Sequence, residues 1–293
     1  MNASAQWYQN TTIPFPITYT DEHWQDLPYF FNERNEGRSR FHQRYDTPSM
    51  YQDMMQKTYR MATEVDVVCG RILDVLERQG VLNHTLVIFT TDNGNMHGQK
   101  GLAEKWYPYE ESLRVPLILY DPRMPRDTVG TRNDAFTLNI DLAPTILAAA
   151  GIRPPSVMQG RDIAELYLPP TSSSFLPWRQ EFLYEFFWNQ KHVCNCVCDG
   201  GVLIYVLAVC IRVLTQLRVA TVSLQRIPNS IALVRKGLKY IYWPDFRYHQ
   251  VFDLDKDPLE ENDVVGGKPS LLYLTYLRRL FELQRIVASG LSV

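Results

Sequence analysis

Leu86-Val87-Ile88-Phe89-Thr90-Thr91-Asp92-Asn93-Gly94 is the stretch on which the reading of this chain turns. The run from Thr85 to Thr91 is short, apolar and rich in strand formers, which suits a strand buried on both faces. It stops at an acid, an amide and a glycine. In open α/β sheets, ligands bind beyond the carboxyl ends of the strands, and Asp92 and Asn93 would stand at such an end. A carboxylate beside an amide oxygen suits a hard cation such as Ca2+ or Mg2+. Gly94 would let the chain turn sharply away. The same three residues are also ordinary turn chemistry, so the pair alone leaves a polar turn and a cation site both open.

The flanking segments set the fold class. Upstream, Thr58, Ala62, Val65, Cys69, Ile72 and Leu76 recur at alternating threes and fours between Ser49 and Gly80. That spacing predicts an amphipathic helix with this face, Cys69 included, in the core. Downstream, Val115 to Tyr120 reads as a second strand, with Pro116 at its start. Asp141 to Gly151 reads as a helix with Asp141 at the N-cap, Pro144 in the first turn and Gly151 at the close. Helix, strand, loop, strand and helix predict an α/β sheet with helix-covered faces. Residues 1–50 read as an irregular arm with turns.

A boundary is expected near Pro169-Pro170-Thr171-Ser172-Ser173-Ser174. Residues 1–170 would form the α/β core. Residues 171–293 would form a smaller α+β subdomain, with short strands at Phe182–Trp188, Lys239–Trp243 and His249–Leu254 and a final helix over Leu271–Val287. Residues 193–225 interrupt that subdomain with a Val-, Leu- and Cys-rich stretch poor in charge. Its Cys194, Cys196 and Cys198 raise a thiolate metal site, but their spacing is not the usual zinc pattern. A foreign insertion fits better.

Composition bounds the function. The 293 residues are 45% hydrophobic and 21% charged with a net charge of −2, which is globular composition that does not favour nucleic acid as a partner. The longest apolar run, Val202 to Ile211, is too short to span a bilayer. Met1 to Gln6 lacks the basic and apolar regions of a signal peptide. Five cysteines, four of them clustered, are not a disulfide framework.

The loop from Asn95 to Pro108 adds His97, Lys100 and Lys105. Compact cationic side chains beside a cation site could hold a sulfate or phosphate oxyanion. A solvated loop with surface lysines is the alternative.

Taken together, Leu86–Gly94, His97-Gly98, Gly101-Leu102, Lys105-Trp106 and Glu110-Glu111-Ser112-Leu113-Arg114-Val115-Pro116 resemble the sulfatase family. Asn139 to Thr145 with Gly151, then Lys239-Tyr240-Ile241, Phe252-Asp253-Leu254 and Asp257-Pro258 with Glu260 and Asn262, continue the resemblance in order. It covers most of the chain outside 193–225. It implies an alkaline-phosphatase-like sheet core, incomplete at its N-terminal side, and calcium-assisted hydrolysis of a sulfate ester on a small molecule or carbohydrate. By the same resemblance Asp92 and Asn93 would ligate calcium, and Lys105 would bind the sulfate and stabilise developing charge. His97 would lie near the site. Many relatives carry histidine where this chain has Lys100.

The family's nucleophile, a formylglycine made within a Cys/Ser-x-Pro-x-Arg motif, has no counterpart in these residues. Its paired aspartate ligands and its upstream His-Pro histidine are also lacking. The calcium site would therefore be incomplete, and this chain alone would be inactive. A phosphate or phosphonate ester hydrolase of the same superfold, or a non-catalytic fragment that binds a partner, would share this half of the motif set.

Overall fold

The computed structural model describes residues 3–169, 177–187, 227–266 and 271–289. Along the arm lie two short helices, α1 (Asp21–Gln25) and α2 (Glu36–Arg44), followed by the long α3 (Pro48–Arg78). Strand β1 (Val87–Thr90) leads into a small hairpin, β2 (Met96–His97) and β3 (Ala103–Glu104). Then come α4 (Glu110–Leu113), β4 (Leu117–Tyr120) and α5 (Leu142–Ala149). Strands β5 (Glu181–Phe186), β6 (Ser230–Arg235), β7 (Leu238–Trp243) and β8 (Tyr248–Asp253) precede the last helix, α6 (Leu271–Ala288).

The expected elements are there, α1, α2, α4, the β2–β3 hairpin and β6 are additional to them, and the expected burial is corrected. Strands β5 to β8 form an antiparallel meander in sequence order. Of these, β6 was not anticipated, although Ile231-Ala232-Leu233-Val234 is a continuous apolar run and lies buried. Strand β1 pairs antiparallel with β4, Val87 opposite Tyr120 and Thr90 opposite Leu117. Neither is buried on both faces as expected: β1 is half-buried throughout and β4 alternates. The reason is that each has a single partner strand among the described residues. Helix α3 differs in the same way. It forms where the spacing puts it, capped by Thr47, but only Tyr51 and Met55 are buried, and Cys69 is half-exposed. The apolar face predicted for the core points outward.

Asp141 also departs from its expected role. Its side chain does not cap α5. Instead the buried carboxylate accepts from the backbone N–H of Leu138 and of Arg161, both at 2.8 Å, and pairs with both terminal nitrogens of Arg179. It is a buried junction between three chain segments, and bidentate Arg–carboxylate geometry makes such a junction strong.

The arm is not loose. Phe30 and Phe31 are buried against Trp243, Ile241 and Phe252 of the C-terminal sheet, and Met96, Leu102, Tyr107 and Tyr109 of the hairpin region complete that core. A second core packs α6, through Leu280 and Leu283, on Ile231, Leu233, Tyr240 and Val251. No helix among the described residues is long and apolar enough to cross a membrane. The zinc and insertion readings for 193–225, and most of the boundary near 169–174, lie outside the described residues.

One charge cluster holds the sheet to the loop ahead of it. Lys239, fully buried in β7, places its Nζ 2.7 Å from Glu110 Oε1 and 2.7 Å from Glu260 Oε1. Glu260 also accepts the Glu110 backbone N–H at 2.8 Å. Its burial pushes its carboxyl pKa up, against the pull of Lys239. We predict that Lys239→Met lowers stability by about 3–5 kcal/mol, because it leaves the buried Glu260 carboxylate uncompensated. Adding Glu260→Gln should recover part of that loss in urea unfolding. Equal stability of single and double variants would show that the cluster is not coupled.

Candidate active site

The site is built from the turn after β1 and the β2–β3 hairpin. Asp92 is exposed at the end of β1, and its Oδ1 accepts the Asn93 backbone N–H at 2.9 Å. Asn93 donates its side-chain amide to the Gly94 carbonyl at 2.8 Å. With its donor engaged there, the Asn93 carbonyl oxygen is the end available to a ligand. Thr91 closes the turn by donating to the Asn93 carbonyl.

Gly94 does not supply a left-handed turn, as the sequence suggested; its φ is not positive. It supplies proximity. A Cβ there would lie 2.1 Å from the Glu111 carbonyl oxygen, and its N–H donates to the Ser112 carbonyl at 3.0 Å. The turn carrying Asp92 and Asn93 is thereby fastened to α4, on the far side of the hairpin loop.

Lys105 directly follows β3, whose partner β2 begins three residues after Asn93. Met96 pairs with Glu104 and His97 with Ala103. The pairing ends at Glu104, whose φ is 76°, and Lys105 follows in a bend. Lys105 is exposed, and no described residue pairs with it. The hairpin itself is clamped to α2, where Arg40 and Arg44 both pair with Glu104. That helix is capped by Asn35, whose side chain accepts from Gly37 and Arg38 and from the Tyr107 hydroxyl.

His97 and Lys100 behave differently from Lys105. The His97 Nδ1 lies 3.0 Å from the Tyr45 hydroxyl and 3.2 Å from the Asn95 side-chain nitrogen. Accepting there, the ring carries its proton on Nε2. Burial, reinforced by Arg44, holds its pKa below the ordinary histidine value. A neutral ring can orient or donate, but it adds no charge toward an anion. Lys100 is buried with φ of 53°, and its ammonium donates to the carbonyls of Leu259 and Glu260 at 2.6 and 2.8 Å. It anchors the segment carrying Glu260. Of the two loop lysines, only Lys105 presents its charge to solvent.

Among the described residues, no group of three or more His, Cys, Asp or Glu side chains could hold a metal ion. Asp92 and Asn93 have the donor chemistry for a hard cation, but two ligands fall far short of the six to eight oxygens calcium takes.

A family model for sulfatases matches residues 5–152, just over half of the chain. The chain belongs to the sulfatase family. The N-acetylglucosamine-6-O-sulfatase of Bacteroides thetaiotaomicron is 33% identical over 137 residues, 47% of this chain and 24% of that protein. A solved 2-O GAG sulfatase superposes with a TM-score of 0.66 at 17% identity, covering 95% of this chain and 52% of that one. A phosphonate monoester hydrolase of Agrobacterium radiobacter superposes with a TM-score of 0.60 at 23% identity, covering 84% of this chain and 43% of that one. The fold is therefore the alkaline-phosphatase-like arrangement of helices and sheet. This sulfatase-family chain spans about half the length of those solved relatives.

Two outcomes test the geometry. Gly94→Ala should cost about 1–3 kcal/mol of stability, the usual penalty for overpacking against a fixed backbone; unchanged thermal unfolding would refute the close approach. The second concerns pH. Burial also depresses the pKa of His249, which is stacked between Tyr242 and Tyr273. Both histidines are thus neutral in the folded state at pH values where the unfolded chain, with histidines near 6.5, takes up protons. Their contribution to stability is full above pH 6.5 and is lost as pH falls below it. Chemical denaturation between pH 7.5 and 5 should show that decline, and His97→Gln with His249→Gln should flatten it.

Proposed function

We propose that this chain carries part of a sulfatase active site. In that reading Asp92 and Asn93 are two oxygen ligands of a divalent calcium ion, and Lys105 faces the sulfate group of the ester. The observation that supports it is an exposed, unpaired lysine directly after β3, in the hairpin that opens three residues after the acid–amide turn at the end of β1. The ammonium would hold an anionic sulfate in the ground state and offset charge on the leaving oxygen as the S–O bond breaks. His97, neutral and held by Tyr45, would orient a neighbouring group and is the weaker of the two catalytic assignments.

The substrate class is a sulfate ester on a carbohydrate or small molecule. Support comes from the relatives, whose names specify a 6-O-sulfated N-acetylglucosamine and a 2-O-sulfated GAG. A phosphonate ester is the second reading, because a phosphonate monoester hydrolase shares the fold. The division into a core over 1–170 and a smaller unit over 171–293 belongs to the same proposal.

Isolated, the chain should not turn over, since its 293 residues hold no Cys/Ser-x-Pro-x-Arg nucleophile motif. Calorimetry should find calcium binding no tighter than roughly 10^-4 M, the range of ligand-poor sites, and none in Asp92→Ala. Aryl sulfate and phenyl phosphonate should both remain intact in the presence of calcium. Micromolar calcium affinity, or turnover abolished by Lys105→Ala, would overturn the incomplete-site reading. Weak binding that survives Asp92→Ala would remove Asp92 from it.

A further inference from the structure

Glu104 holds a backbone conformation that a residue with a side chain disfavours. Its φ is 76°, in the left-handed region where a Cβ crowds the following carbonyl and glycine is the usual occupant. Strained backbone of this kind persists only when its surroundings fix it, and it gathers at functional sites. The residue stands between the last pairing of the hairpin, with Met96, and the bend at Lys105. An extended residue here would let the strand run on. The left-handed one ends the pairing and sets the direction in which the chain leaves it.

The surroundings that fix it come from α2. Arg40 and Arg44 both reach the same carboxylate oxygen of Glu104, whose side chain is 16% exposed. Helical residues four apart share one face, so the two guanidinium groups arrive together. Arg40 is itself steadied by Glu36 at 2.9 Å. The same helix grips the chain again beyond Lys105. The buried Tyr107 hydroxyl donates to the Asn35 side chain that caps α2 and accepts the Gly37 backbone N–H at 3.1 Å. Lys105 and Trp106 thus form a short bridge between two attachments to one helix.

We propose that Glu104 is a positioning residue for Lys105. The Arg40 and Arg44 guanidinium groups hold its carboxylate, the carboxylate holds the left-handed turn, and the turn fixes the direction in which the Lys105 ammonium meets an anion. Charge-assisted contacts from two arginines are strong enough to impose such geometry. The inference rests on the sulfate-binding role proposed for Lys105, whereas the hold of α2 on the bend does not. Two roles for Glu104 predict opposite signs. Acting only as a charge beside Lys105, it would repel sulfate, and removing it would tighten binding. Acting as a clamp, its removal weakens binding despite the positive charge gained.

The test titrates the full 293-residue chain with inorganic sulfate, followed by NMR at the Lys105 and Trp106 amides. Glu104→Ala keeps a Cβ but loses the clamp. It should weaken sulfate binding about tenfold, the scale of the left-handed penalty, with the amides of β6 and β7 unmoved. Glu104→Gly makes the left-handed turn free of strain and should bind within about threefold of the parent. Binding unchanged or tighter in Glu104→Ala, or equally weak in both variants, would overturn the proposal. Limited trypsin digestion, which cuts after Lys105, separates the clamp from the sulfate role. Glu104→Ala, and Arg40→Ala with Arg44→Ala, should each speed cleavage of the Lys105–Trp106 bond about tenfold by loosening the bend, and the triple variant no further. A parent chain that ignores sulfate yet shows this pattern would remove the role of Lys105 and keep the clamp. Cleavage at the parental rate in every variant would remove the clamp.

Discussion

A lysine ammonium sealed between two carboxylates is the constraint on which the described structure hangs. Lys239 sits in the middle of the C-terminal sheet, Glu110 opens α4, and Glu260 lies past β8. Charges taken out of water are tolerated only when opposite charges meet them closely. That requirement allows few relative positions of sheet and loop. Because α4 in turn receives the Gly94 backbone, the position of the acid–amide turn is set by chemistry far along the sequence. Lys100 adds a second tie from within the hairpin loop to the same Glu260 segment.

The exposed chemistry and the buried scaffold are thereby separated. Asp92 and Lys105 face solvent, whereas groups that hold their chain segments are buried or half-buried: Tyr107 on Asn35, Lys100 on two carbonyls, and the half-buried Gly94 on α4. Such an arrangement leaves the exposed side chains open to solvent while limiting the movement of the backbone beneath them. It suits the proposed site, which would meet ions and esters from outside.

What could be read from the sequence depended on whether the signal was local. The strand into Asp92, the long helix from Pro48 and the closing helix from Leu271 all follow from periodicity and end signals. The family motif directed attention to Lys105 rather than to the other loop cations. The distinct roles of His97 and Lys100 could not be read, because they depend on Tyr45 and on the Leu259 and Glu260 carbonyls, remote in the chain. Gly94 was read as a turn residue because its true reason, the Glu111 carbonyl, is a tertiary contact. Strand β6 was passed over next to the atypical stretch before it, although its own run of Ile, Ala, Leu and Val was signal enough. The α3 face was read correctly as apolar; burial does not follow from apolarity when the covering surface is not among the described residues.

The arm's aromatic anchor has a consequence for how the molecule comes apart. Phe30 and Phe31 pack on Trp243, so the first forty residues and the C-terminal sheet share one interior despite the two hundred positions between them. Contacts of such long span tend to form late and to break together. The amino-terminal segment therefore acts as a clasp rather than a tail: a backbone nick beyond it would leave both ends joined, and the Trp243 indole would report the moment that clasp lets go.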